Sequence, residues 1–400
     1  MIFTETKTKN KFSDGTKLIL NSLKEISYGR VELKFPNEEE FAFQGAKAGP
    51  VVRMKINNIC CFDMILEKSD IGLGESYMLG YWETDDISNL IELALLNKSA
   101  LKSAMIGEWR KIILYKLKHL FNANSKTGSR KNIRAHYDLG NSFYQLWLDR
   151  SMTYSSAYWG PQPDLTLQEA QENKYEFLLK HLGAQKGESI LEIGCGWGGF
   201  AEHAAKQGFN VTGVTISEEQ YAYALARIQT AGLAEQAKIL FLDYREIQGT
   251  FDHVVSIEML EAVGEKFWPN YFKKINEVVK PGGSVAIQSI TIDNNEFTRY
   301  RKGTDFIQQY IFPGGMLPSE NRLNEVISPL GAKNIQFRRF GLDYAKTLRL
   351  WCEKFSQELG QISALGYSLE FQRMWKFYLG YCEGAFRAGQ INVVTMSYHL

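Results

Sequence analysis

Ten residues, Leu191 to Phe200 (LEIGCGWGGF), join a short apolar run to four glycines and a carboxylate. An apolar strand that ends in a glycine-rich turn and runs straight into a helix lets backbone N–H groups approach a ligand closely. Glu192 lies on the strand just before that turn, where a carboxylate could hold a ligand's amino group. Asp243 ends another apolar run, FLDY, and is placed to meet the amine of an adenine. A string this short also fits a dinucleotide site, or a tight turn with no ligand at all. Glu192, Asp243 and the block KPGG (280–283) ahead of a further apolar run favour S-adenosylmethionine over both. No acid ends the run after the next helical stretch, where one could meet ribose hydroxyls. VTISEEQ (214–220) stands there, so Thr215, Ser217 or Gln220 would substitute.

The elements around these residues alternate. Residues 189–194, 210–216, 237–244, 251–259 and 284–292 read as strands. Residues 199–208, 218–232 and 268–283 read as helices, the last stopped by Pro281-Gly282-Gly283. Such alternation predicts a parallel sheet with helices on both faces. Before it, residues 27–66 read as strands broken by Pro36, Gly45, Gly49 and Pro50, and Ile87–Leu101 reads as a helix. A small α+β domain is therefore expected over residues 1–120, a polar linker over 121–135 and the catalytic domain over 136–400.

The 400 residues carry 46 Lys+Arg against 45 Asp+Glu, and 44% are hydrophobic. That balance argues against a globally basic nucleic-acid binder and against an acidic disordered chain. No apolar run is long enough to span a bilayer, and the N-terminal residues are polar. Five cysteines without disulfide or metal spacing fit a reducing cytoplasm. Six scattered histidines suggest no metal site. The near-neutral total hides an asymmetry: between Leu101 and Arg134 stand nine basic residues and a single acid, Glu108. Within it EWRKIILYKLKHLF interleaves cations with apolar residues at helical spacing. A solvated surface helix and a patch that docks on anionic lipid headgroups both fit that pattern.

GVTISEEQ following LEIGCGWGG resembles the cyclopropane-fatty-acyl-phospholipid synthase family. Further stretches carry the resemblance across most of the chain: GLGESYMLGYW (72–82), HYDLGNSFYQLWLDRSMTYSSAYW (136–159), FDHVVSIEMLEAVG (251–264), YIFPGGMLPS (310–319), DYAKTLRLW (343–351) and YCEGAFRAG (381–389). The resemblance implies a Rossmann-like class I methyltransferase with a seven-stranded, mostly parallel sheet behind an N-terminal lipid-handling domain. It implies methyl(ene) transfer from S-adenosylmethionine to the double bond of an unsaturated phospholipid acyl chain, by an enzyme peripheral to the inner face of the membrane. It leaves open whether the enzyme is a homodimer.

The family's base is a bound bicarbonate, and the positions that cradle it carry over to Glu261, Tyr344, Ile290 and, with changed residues, Ser156 and Gln288. Ser156 stands for a cysteine, Gln288 for a histidine and Ala262 for a histidine beside the glutamate. Cys382 matches a cysteine once suspected as a nucleophile. Cofactor contacts carry over to Tyr154, Ser155, Leu191, Glu192, Gly194, Cys195, Gly196, Gly198, Gly199, Thr215, Ile216, Ser217, Gln220, Asp243, Tyr244 and Arg245. The changed cradle residues also resemble the family's fatty-acyl C-methyltransferase branch, so a methylene- or methyl-branched product is the alternative to a cyclopropane ring. An alternative of another class is a non-catalytic lipid carrier; the intact glycine turn, Glu261 and Tyr344 count against it.

Overall fold

The computed structural model describes residues 12–99, 101 and 139–400, so the basic amphipathic run and the linker fall outside the described residues. The chain divides into two compact units, residues 1–112 and 113–400.

In the first unit, β1 (Tyr28–Lys34), β2 (Glu40–Gln44), β3 (Lys47–Ile56) and β4 (Trp82–Thr84) form a sheet in the order β2-β1-β3-β4. Along β3 the alternation of Val52, Met54 and Ile56 with exposed residues buries one face, as a period of two requires. Strand character stops earlier than the expected residue 66. Cys60–Lys68 and Asp70–Met78 are helices packed on each other. Their close approach depends on Gly72, where a Cβ would lie 1.9 Å from the Met64 carbonyl oxygen. No helix among the described residues is long and apolar enough to cross a membrane.

The second unit is built on β5 (Ser189–Ile193), β6 (Asn210–Thr215), β7 (Ala237–Phe241), β8 (Phe251–Ile257), β9 (Val279–Ile292), β10 (Lys333–Arg339) and β11 (Ile391–His399). Their order is β10-β11-β9-β8-β5-β6-β7, parallel from β9 through β7, with β11 antiparallel to both neighbours. Buried side chains of β5, β8 and β9 pack beneath the helices Gly199–Lys206 and Trp268–Val278 on opposite faces.

Two boundaries differ from the expected ones. The helix at Trp268 ends at Val278, and Pro281-Gly282-Gly283 belongs to the start of β9, where the register against β8 shifts. A bulge accommodates a proline and two glycines without ending the strand. The strand at Ala237 stops at Phe241, which frees Asp243 to cap the turn Tyr244–Glu246.

Candidate active site

The C-terminal ends of β5, β6 and β8 open into one cleft, at the point where strand order reverses. It is lined by Tyr154, Ser155, Glu192, Gly194, Cys195, Gly196, Gly199, Thr215, Ile216, Gln220, Asp243, Tyr244 and Arg245, all of them expected cofactor residues. Three other expected residues lie outside its walls. Leu191 is fully buried in the sheet core, Gly198 packs on Ala224, and Ser217 caps the Glu218–Thr230 helix. Two of the glycines show why the turn needs them. Gly194 has φ of +82°, and a Cβ on Gly199 would lie 2.6 Å from the Tyr175 hydroxyl.

The cleft's polar groups fit the cofactor the sequence suggested. One carboxylate oxygen of Glu192 is buried and without a hydrogen-bond partner. Burial raises the Glu192 carboxyl well above its ordinary value, with nearby Lys174 opposing. A ligand ammonium arriving there would stabilise the charged form. Asp243 is gripped from one side by Arg245, whose Nε and Nη2 donate at 2.8 and 2.6 Å. Thr215 donates its hydroxyl hydrogen to Gln220 at 2.9 Å, a pair of polar groups at the strand end that lacks an acid.

Beside the cofactor residues lies a pair of glutamates. Glu258, directly after β8, lines the cleft and has φ of +51°. Its Oε1 accepts from the Ser156 backbone N–H and from Gln288 Nε2, each at 2.8 Å, and its Oε2 accepts from the Tyr344 hydroxyl at 2.7 Å. Glu261, one helical turn further on, accepts at Oε1 from the Ile290 backbone N–H at 2.5 Å and from the Ser289 hydroxyl at 3.1 Å. Burial pushes the Glu261 carboxyl up to about 8, and the charge of Glu258 pushes the same way. Burial also raises Glu258, while its three donors and Lys174 pull it back. One negative charge shared by the pair is the arrangement these forces favour.

Five of the six expected catalytic residues therefore meet at these two carboxylates. The Ser156 contribution differs from expectation: its hydroxyl donates to the Ala157 carbonyl at 2.8 Å, and the backbone N–H serves the carboxylate instead. Burial pushes the thiol of Cys382 up into the neutral, non-nucleophilic form. Glu258 and Lys174 join the site although no motif marks their roles in the sequence. Lys174 is fully buried on the inner face of the Leu167–Leu182 helix, donates to the Ser155 hydroxyl at 2.6 Å, and is lowered by burial to about 7. The faint signal for Glu258 was an acid directly after the apolar run VVSI.

Aromatic rings back the site. Tyr154 lies 5.4 Å from Trp351 and 5.5 Å from both Tyr144 and Trp147, centroid to centroid, and its hydroxyl pairs with that of Tyr378 at 2.7 Å. Trp375 and Tyr378, on the Leu369–Arg387 helix, are buried in this cluster.

The family model described as mycolic acid cyclopropane synthetase matches residues 124–396. The tuberculostearic acid methyltransferase UfaA1 of Mycobacterium tuberculosis is 38% identical over 330 residues, 81% of this chain and 77% of that protein. The cyclopropane-fatty-acyl-phospholipid synthase of Escherichia coli K12 is 35% identical over 341 residues, 85% of this chain and 86% of that protein. Among solved structures, the mycolic acid cyclopropane synthase CmaA1 complexed with SAH and CTAB superposes with a TM-score of 0.64 at 31% identity, covering 68% of this chain and 98% of that one. Coclaurine N-methyltransferase, at 18% identity and a TM-score of 0.63, shares the class I methyltransferase fold. The match covers the cleft, both glutamates and the aromatic cluster together, and the chain belongs to the mycolic acid cyclopropane synthetase family of S-adenosylmethionine-dependent methyltransferases.

Proposed function

We propose that this enzyme transfers a methyl(ene) group from S-adenosylmethionine to the double bond of an unsaturated phospholipid acyl chain and closes a cyclopropane ring. One observation carries the reading: the cofactor cleft is lined by Glu258, one of a half-buried carboxylate pair held by Tyr344, Gln288 and Ile290. S-adenosylmethionine, when bound, supplies an electrophilic methyl group on a sulfonium sulfur. Glu192, Thr215, Gln220 and the Gly194–Gly196 turn would hold it, with Asp243, Tyr244 and Arg245 at the adenine end.

An alkene is a weak nucleophile, so the protein's part is to hold it in line with that methyl in a dry site. Methyl transfer leaves a carbocation on the acyl chain. The ring faces around Tyr154 can stabilise it by about 0.5–2 kcal/mol each without capturing it covalently. A base then takes a proton from the added methyl, and the freed C–H electron pair closes the ring. We assign that step to the group formed by Glu258, Glu261 and Tyr344.

The alternative is a methylene- or methyl-branched product, favoured by the 38% identity to a tuberculostearic acid methyltransferase. We assign the basic run between Leu101 and Arg134 to docking on anionic lipid at the inner face of the membrane, and the N-terminal unit to handling the lipid. Cells expressing the protein on methyl-labelled methionine are expected to incorporate label into phospholipid acyl chains. Proton NMR then separates upfield ring protons from vinylic protons of a methylene branch. Labelled medium with no label in the acyl chains would overturn the proposal.

A further inference from the structure

We propose that Glu258 is the built-in anion of this active site: its carboxylate occupies the cradle that the resemblance assigns to bicarbonate and itself removes the proton that completes the reaction. The inference rests on the function proposed above and names the base for it.

The positions that carry over as a bicarbonate cradle are Ser156, Glu261, Gln288, Ile290 and Tyr344. Each donor they present to the site is engaged. Ser156 N–H, Gln288 Nε2 and Tyr344 O–H all converge on Glu258, and Ile290 N–H goes to Glu261. The Ser156 hydroxyl donates away, to the Ala157 carbonyl. A bicarbonate entering here would find the donors of Ser156, Gln288 and Tyr344 already turned to the Glu258 carboxylate, with the unpartnered Oε2 of Glu261 left among these residues, so the cradle does not fit a second anion. A carboxylate and a bicarbonate are both planar, with oxygens sharing one negative charge on a trigonal carbon. Glu258 therefore satisfies the same donors that the resemblance assigns to the free ion.

Two further observations separate this from a structural role. The Glu258 backbone has φ of +51°, a conformation that favours glycine, so a bulky side chain is held there against its preference. Glu258 also lines the cofactor cleft, whereas a glutamate serving only to tie β8 to β9 has no need to face it. Its three bonds leave one lone pair on Oε2, and a carboxylate offers about four acceptor positions. In the step assigned to it, the C–H bond of the added methyl breaks and its electron pair forms the third ring bond. The proton goes to Glu258 Oε2, and the cation's positive charge is cancelled against the carboxylate.

The test uses the full chain with S-adenosylmethionine and vesicles of unsaturated phospholipid, in buffer stripped of carbon dioxide. Wild type is expected to form product at the same rate with and without added bicarbonate. Glu258→Gln is expected to lower that rate by about 100-fold or more, the ordinary contribution of a positioned base, while cofactor affinity measured by calorimetry stays within about threefold. Glu258→Gly relieves the backbone strain and empties the cradle, so it is expected to become bicarbonate-dependent. Labelled bicarbonate should broaden in carbon-13 NMR on binding this variant and not on binding wild type. A wild-type rate that falls on removing bicarbonate and returns on adding it would overturn the proposal, as would full activity of Glu258→Gln. Bicarbonate binding to wild type in the NMR experiment would overturn it without any turnover. Failure of the functional reading shows separately, as an absence of labelled product from wild type under every condition.

Discussion

Tyr344 gives its hydroxyl hydrogen to Glu258 at 2.7 Å, so Tyr344→Phe removes one of three donors holding that carboxylate and leaves the ring in place. Loss of one charge-assisted hydrogen bond in a dry site corresponds to about 1.5–3 kcal/mol. The expected result is a turnover rate about 10-fold or more below wild type, with cofactor affinity unchanged, read by steady-state kinetics and calorimetry. Glu192 tests the other end of the cleft. Its unpartnered buried oxygen is the group we assign to the cofactor's ammonium, so Glu192→Gln should weaken cofactor binding by about 10-fold or more, the cost of replacing a charged hydrogen bond by a neutral one. Binding within twofold of wild type would remove Glu192 from the cofactor site. Much of this was legible because Glu192 and the glycines are adjacent in sequence, and Tyr344, Gln288 and Ile290 sit in long motifs. Glu258 and Lys174 were not, because their roles arise where separate elements converge. Nothing in the spacing of EMLEAVG says which glutamate receives a donor from residue 344, and an isolated lysine at a helix's inward position reads as a solvated one.

At the scale of elements, strand–helix alternation was readable wherever an apolar run met a glycine. It failed where a strong local signal was overridden by pairing. Pro281-Gly282-Gly283 reads as a stop, yet β9 absorbs it because the bulge against β8 needs residues that make few ladder bonds. In the same way Cys60–Lys68 departs from the strand pattern before it because the next helix offers Gly72 as a contact surface. The Leu369–Arg387 helix shows what an aromatic stripe does once it is placed. Trp375 is 1% exposed and lies against Phe143, Trp147 and Tyr378. Trp375→Ala is expected to destabilise the enzyme by about 3–5 kcal/mol through the cavity it leaves. Chemical denaturation should show a lower midpoint with an unchanged slope. Loss of activity at full stability would instead place Trp375 on the substrate path and take it out of the core.

For the molecule as a whole, the buried charges set how stability varies with pH. Glu261 has a folded value of about 8 against an ordinary 4.5. Below 4.5 it is protonated in both states; between 4.5 and 8 only the folded state keeps the proton, so stability falls as pH rises through that window. Glu192 and Glu258, also raised, add to the same slope. Lys174 acts oppositely. Its folded value of about 7 lies below the ordinary 10.5, so between those values the unfolded state binds the extra proton and stability climbs with pH. Together these groups place a trough near pH 7–8, a cost the fold carries for keeping acid and base chemistry in a dry cleft. Thermal unfolding at constant ionic strength from pH 5 to 10 should show the melting temperature dip and recover. Glu261→Gln keeps the acceptor for the Ile290 N–H but has no proton to lose, so its melting temperature should fall less than wild type's between pH 5 and 8. Each unit of displaced pKa corresponds to about 1.4 kcal/mol, so the difference should be readily measured. Parallel curves for the two proteins would show that Glu261 is ionised in the folded enzyme at neutral pH, and the single shared charge assigned to the pair would be wrong.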